Sequence, residues 1–161
     1  MNGKVHLYAR SNINTDEIIP ARHLNVHDET TLATHAMEDI DPDFVKNVNA
    51  GDFIVAGEDF GCGSSREHAV WALRGAGIKA VLADSFSRIF FRNAINNGFY
   101  AIEISGISGK VKPGDELQIT PDQGLVKNLT NSEEYTFSPY TDYFKDVIDA
   151  GGLMNYLANR N

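Results

Sequence analysis

Phe53-Ile54-Val55-Ala56-Gly57-Glu58-Asp59-Phe60-Gly61-Cys62-Gly63-Ser64-Ser65-Arg66-Glu67-His68-Ala69 is the stretch that decides the fold. Its first four residues are apolar without interruption, a pattern too continuous for a strand with one face in water. The chain then passes three glycines and enters a helical pattern over residues 65–76 that ends at Gly77. Residues 79–83 form a second apolar strand, and Ser85 is placed to cap a helix over residues 86–97, closed by Gly98. With a further strand up to residue 104, the order strand, helix, strand, helix, strand is the rhythm of parallel crossovers and sets an α/β class.

Upstream, residues 4–9 alternate apolar and polar as a half-buried strand would. Ser11-Asn12-Ile13-Asn14-Thr15-Asp16 carries turn and cap chemistry, and Ile18-Ile19 runs into a stop at Pro20. Asp28 is positioned to cap a helix over residues 29–38, and Asp41-Pro42 to start a short one. Beyond Gly106 the pattern changes to β segments at 111–119 and 124–137, punctuated by Pro113-Gly114-Asp115 and Pro121-Asp122. A last helical stretch, 141–158, is interrupted at Gly151-Gly152. The expected architecture is a parallel α/β core with additional antiparallel β structure. Without repeats or linker-like tracts, residues 1–161 are read as one domain.

A net charge of −8 argues against nucleic acid, because Lys and Arg are scattered singly rather than gathered in a stripe. The N-terminus lacks the apolar core of a signal peptide, and no apolar run approaches the roughly 20 residues needed to span a bilayer. No nucleic-acid or membrane partner is therefore expected. The single cysteine, Cys62, rules out an internal disulfide and suits a cytoplasmic setting. It is also too few thiols for an iron–sulfur cluster held by this chain alone.

The loop between the first two buried strands is where chemistry is expected, since ligands of parallel sheets bind beyond the carboxyl ends of the strands. Its glycines allow close approach of the backbone, and the helix start offers unpaired N–H groups. Ser64 and Glu67 have the spacing of a reciprocal capping pair, which is a purely structural role. Arg66 resists that reading, because a cation at a helix start opposes the macrodipole unless an anion sits there too. A P-loop is excluded by the missing Lys before the serines, and a nucleophile elbow by the missing G-x-S-x-G. Cys62 reads as packing and His68 as a local hydrogen-bonding residue rather than a ligand, so no metal site is expected. In residues 85–98, Phe86, Ile89, Phe90, Asn93 and Ala94 recur at helical spacing and read as core. Arg88 and Arg92, one turn apart, read as structural or interface residues.

Three segments together resemble the swivelling β/β/α domain of the aconitase superfamily, in the form found as a separate small subunit in isopropylmalate dehydratases. They are Asn14-Thr15-Asp16-Glu17-Ile18-Ile19-Pro20-Ala21-Arg22, then Phe60 through Ala69, and Ser85-Phe86-Ser87-Arg88-Ile89-Phe90-Phe91-Arg92-Asn93-Ala94-Ile95-Asn96. The resemblance spans nearly the whole chain, with the motifs in the family's order. It implies a hydro-lyase that dehydrates a small dicarboxylate hydroxy-acid and rehydrates it on the adjacent carbon. It further implies a separate large subunit, in a heterodimer or heterotetramer, that carries a 4Fe–4S cluster, with no cofactor on this chain. By the same resemblance Ser64 is the catalytic base, while Ser65 and Arg66 bind a substrate carboxylate.

The family's substrate-selecting loop corresponds to Leu24, Asn25 and Val26. Relatives that take a third carboxylate carry Arg where this chain has Asn25, so the resemblance implies a branched alkyl substrate, isopropylmalate, of leucine biosynthesis. Methylmalate, dimethylmalate and homoaconitate are the competing substrates, and a non-catalytic anion-binding module is the competing role. His23 and Val26 depart from the family's common Tyr and Thr, and Gly98-Phe99-Tyr100 from its Leu-Pro after the glycine.

Overall fold

The computed structural model describes residues 1–160, and within them seven strands form one mixed sheet. The strands are β1 (Asn2–Tyr8), β2 (Phe53–Ala56), β3 (Ala80–Ala83), β4 (Tyr100–Glu103), β5 (Glu116–Thr120), β6 (Leu125–Asn128) and β7 (Glu134–Thr136), in the spatial order β4-β3-β2-β1-β5-β6-β7. β1 to β4 pair in parallel, with Val5 opposite Phe53, Phe53 opposite Ala80 and Ala80 opposite Tyr100. β5 joins the other edge of β1 antiparallel, and β6 and β7 continue as a meander.

The helices follow the same logic. Short helices α1 (Thr15–Ile18), α2 (Glu29–Ala33) and α3 (Phe44–Asn47) connect β1 to β2. Helix α4 (Glu67–Gly75) connects β2 to β3, and α5 (Arg88–Asn96) connects β3 to β4. Since β1 to β4 succeed one another in one direction, crossovers of one hand lay all five helices on one face. Ile54, Ala56, Val81, Ala83 and Ala101 point into that face and pack with Ile18, Leu32, Phe44, Leu73 and Phe90. The alternate residues Phe53, Val55, Ala80, Leu82 and Ile102 point the other way and share a core with Leu117, Ile119, Val126 and Tyr135. The sheet therefore curls until its antiparallel end covers the face that its own helices leave bare. This is the swivel-type arrangement, and it explains why β2 and β3 are buried at every residue.

Helices α6 (Asp142–Asp149) and α7 (Leu153–Asn159) pack Val147 and Ile148 against Ile95 of α5. They break where Gly152 adopts φ 127°, and a Cβ there would lie 2.7 Å from the Asn96 carbonyl oxygen. Two other helices differ from the sequence expectation. The segment after Asp28 is capped by that residue as expected, but it is helical only over Glu29–Ala33. Met37 turns to φ 60° and donates its N–H to Ile18, a tertiary bond that an extended helix would forfeit. The following helix begins at Phe44 instead of beside Pro42, because the Asp41 carboxylate accepts from the Tyr8 hydroxyl at 2.6 Å and from the Asp43 N–H.

Phe53→Ala removes a fully buried ring from the core that β2 shares with β5 and β6. Urea denaturation should show a loss of about 3–5 kcal/mol. Native-state hydrogen exchange should quicken in β5 and β6 along with β2. Unchanged protection in β5 and β6 would show that the two ends of the sheet do not share a core.

Candidate active site

The carboxyl ends of β1, β2 and β3 lie side by side, and each leads into one of the three motifs. The loop leaving β2 is held on both flanks by main-chain bonds. On the β1 side, Gly61 donates its N–H to the Ile13 carbonyl (2.8 Å) and Thr15 donates to Cys62 (2.9 Å), with an isolated parallel bridge between Asn14 and Cys62. On the β3 side, Phe60 donates to Ser85 (3.1 Å) and Ser87 to Phe60 (3.0 Å), while the Ser87 hydroxyl donates to the Gly61 carbonyl at 2.9 Å. Beneath the loop, the buried rings of Phe60 and Phe90 meet edge to face at 5.2 Å. Gly61 lies directly on Phe90 at φ 82°, and a Cβ there would fall 2.3 Å from the ring.

These bonds explain a shifted helix start. Ser85 does not cap the third motif's helix, because its hydroxyl accepts from Asp59 at 2.8 Å and its carbonyl is paired with Phe60. Ser87 caps it instead, accepting from the Phe90 N–H, and α5 begins at Arg88. Arg88 and Arg92 both end up exposed.

From this anchored base the chain rises into Ser64 and Ser65, both exposed, and Arg66, half-buried. The Ser64–Glu67 capping pair is not formed. Arg66 is the N-cap residue of α4, with extended backbone and no side chain capping the helix. Ser64 lies too far upstream to serve, and its carbonyl accepts from the hydroxyl of buried Thr15 at 3.1 Å. A reciprocal capping box does occur, but at Asn14 and Glu17 on α1. Without a side-chain cap, the N–H groups of the first two residues of α4 leave the helix start its positive end.

Arg66 is not left alone with that positive end. Its Nη1 lies 3.4 Å from the Asp16 carboxylate, which also accepts from the Ala21 N–H at 2.8 Å. In the sequence Thr15 and Asp16 carry only turn and cap chemistry, whereas the fold sets them against Ser64 and Arg66. The signal was their place in the first motif, yet only the parallel pairing of β1 and β2 brings them against residues about fifty positions away. The Leu24, Asn25 and Val26 loop reaches the same end of α4. Leu24 and Val26 are half-buried, Asn25 is exposed, and Val26 packs on the helical core. The neighbouring His27 ring lies 5.5 Å from that of His68, in the first turn of α4. Burial, and then the nearby His27, hold the His68 pKa below its ordinary value.

The donor set does not fit an iron–sulfur cluster on this chain, which would take three or four thiolates. Cys62 is the one thiol in the sequence, and burial together with Asp59 pushes its pKa up, away from the thiolate form.

Two exposed hydroxyls and a half-buried arginine are thus set where a helix starts at the carboxyl edge of the parallel strands of an α/β fold. The chain belongs to the aconitase C-terminal domain family, whose profile matches residues 1–106. Among its relatives, the 3-isopropylmalate dehydratase small subunit of Deinococcus deserti is 55% identical over 154 residues, covering 96% of this chain and 85% of that one. The 3-isopropylmalate dehydratase small subunit of Clostridium beijerinckii is 50% identical over 160 residues, with 99% of each chain covered. A crystal structure of 3-isopropylmalate dehydratase from Methanocaldococcus jannaschii superposes with a TM-score of 0.93 at 42% identity, covering 99% of this chain and 93% of that chain.

Gly61→Ala forces a side chain into Phe90 at a backbone angle that L-residues avoid, and should cost about 2–4 kcal/mol in thermal or urea unfolding. A variant as stable as the wild type would mean that the loop is not seated on Phe90.

Proposed function

We propose that this chain is the small subunit of a 3-isopropylmalate dehydratase, interconverting 2-isopropylmalate and 3-isopropylmalate by dehydration and rehydration in leucine biosynthesis. The observation that carries the reading is the anchored Ser64-Ser65-Arg66 loop with its exposed serines, on a chain that aligns over 99% of its length with a relative bearing that name and shares the fold of another. The word small in those names supports a large subunit as partner, and a lone cysteine of raised pKa supports a cluster housed there and a reducing cytoplasmic setting. The 4Fe–4S cluster of the partner would supply Lewis-acid chemistry at the substrate hydroxyl.

This chain's part is to bind a carboxylate and move a proton. Arg66 meets Asp16 through Nη1 at a long 3.4 Å, so its fork can accept a substrate carboxylate in a paired, charge-assisted geometry. Ser65 and the first N–H groups of α4 add donors to the same anion. Ser64 takes the proton from the carbon next to a substrate carboxylate. A serine hydroxyl is a poor base at neutral pH. It can work only where its alkoxide is stabilised, and the helix start and Arg66 supply positive potential at that place. Thr15 fixes the Ser64 carbonyl, so the hydroxyl is carried on a held backbone. Leu24 and Val26 give the selecting loop an apolar character, and Asn25 cannot neutralise a third carboxylate. This composition favours a branched alkyl group over homoaconitate, with methylmalate and dimethylmalate as the nearer competitors.

The test is turnover after mixing this chain with its cluster-loaded large subunit, followed by absorbance of the unsaturated intermediate from isopropylmalate, citramalate, dimethylmalate and homocitrate. Isopropylmalate should turn over fastest. Ser64→Ala should lower kcat by about 10²–10⁴ with little change in KM, whereas Arg66→Lys should act mainly by raising KM. Preference for a smaller malate would move the enzyme to another substrate and leave the mechanism standing. Wild-type turnover by Ser64→Ala would refute the assignment of the base.

A further inference from the structure

We infer that His23, His35 and Glu38 form a binding site for a single divalent transition-metal ion, of the zinc, cobalt or nickel type, that clasps the base of the 24–34 segment. The three side chains converge from two places. His23 ends the short turn Ala21–His23, and His35 and Glu38 sit three residues apart just beyond α2. His23 Nε2 lies 2.7 Å from one Glu38 oxygen and His35 Nδ1 lies 2.8 Å from the other. The candidate ligand atoms are all within 4.8 Å of one another.

Several features distinguish this cluster from an ordinary surface salt bridge. The two imidazole rings stack at 3.8 Å with planes only 13° apart, so both turn a nitrogen edge toward the same carboxylate. Hydrogen bonds from His23, His35 and Arg22 converge on the Glu38 carboxylate, which places its two oxygens between the rings and the guanidinium. Arg22 also grips Asp39 with one nitrogen at 2.8 Å. It can therefore release the Glu38 oxygen that it holds at 2.6 Å and remain paired as an ion enters.

The donor set selects the ion. Two imidazole nitrogens and one carboxylate, with room for water as the fourth ligand, suit tetrahedral zinc or cobalt and also nickel. Calcium and magnesium prefer oxygen cages. Binding needs only a tautomer in which the proton sits on His23 Nδ1 and His35 Nε2, and a tilt of one ring out of the stack to bring both lone pairs onto one ion. No covalent bond of the chain changes. The ion would tie residue 23 to residues 35 and 38 and close a loop containing Leu24, Asn25, Val26 and α2. The site stands whether or not that loop selects the substrate, and its test requires no turnover.

The test is titration of the full chain with Zn²⁺ by calorimetry and with Co²⁺ by visible absorption, in wild type, Cys62→Ser, His23→Gln, His35→Gln and Glu38→Gln, each checked for native circular dichroism. One ion should bind wild type and Cys62→Ser alike and raise their melting temperatures. Each of the other three variants should bind at least about tenfold more weakly. His35→Gln alters a half-exposed side chain and leaves the buried core intact, so it keeps the test open if another variant fails to fold. Wild-type affinity in all three folded ligand variants, loss of binding in Cys62→Ser, or no saturable binding to the wild type would each overturn the proposal.

Discussion

A parallel sheet whose strands follow one another in a single direction leaves one of its faces bare. In this protein β1 to β4 do so, and five helices accumulate on one side. Left uncovered, the opposite face would expose Phe53, Val55, Leu82 and Ile102, more apolar surface than water would tolerate. The antiparallel strands β5 to β7, joined through β1, bend round to cover it. β1 is therefore the hinge between two kinds of pairing. It is parallel to β2 along Val5–Tyr8 and antiparallel to β5 along Asn2–Lys4. Both the curl and the alignment of the three motif-bearing strand ends follow from that position.

The same constraint builds the candidate site. Because β1, β2 and β3 are neighbours, their following loops can bond to each other, and the middle one is tied on both flanks before it rises into Ser64. Rigidity is concentrated below the serines. Phe60, Phe90 and Gly61 are packed without spare room, while Ser64 and Ser65 stand in solvent. The loop thus combines an exposed tip with a fixed root, the combination that the proposed role of Ser64 requires. Asp16 adds an electrostatic element, since it holds Arg66 with a carboxylate of the chain's own.

Much of the fold was legible because its signals are local. Four-residue apolar runs at Phe53–Ala56 and Ala80–Ala83 announced strands buried on both faces. Asp28 and Gly98 punctuated helices as their chemistry requires. The misplaced boundaries share one cause, a local signal outbid by a distant partner. Ser85 is an adequate cap, but the Asp59 N–H reaches it first. Residues 34–38 would continue a helix, but Met37 is drawn to the Ile18 carbonyl. The superfamily resemblance read from the motifs is matched by the family profile and the relatives. Of the Ser64-Ser65-Arg66 loop, only Arg66 stood out by residue type, as a cation where a helix start prefers acidic residues. Asp16 against Arg66 and His23 against His35 did not, because each pairing depends on side-chain contacts across elements, which no local sequence spacing encodes.

In the proposed reaction, Ser64 removes the proton from carbon. The most direct measurement is the single-turnover rate of C–H cleavage by the assembled two-subunit enzyme, using isopropylmalate carrying hydrogen or deuterium at the reacting carbon, for wild type and Ser64→Ala. Ser64→Ala should still bind isopropylmalate but cleave the C–H bond about 10²–10⁴ times more slowly. Cleavage at the wild-type rate, with the same isotope effect, would contradict that role and reduce Ser64 to a loop residue.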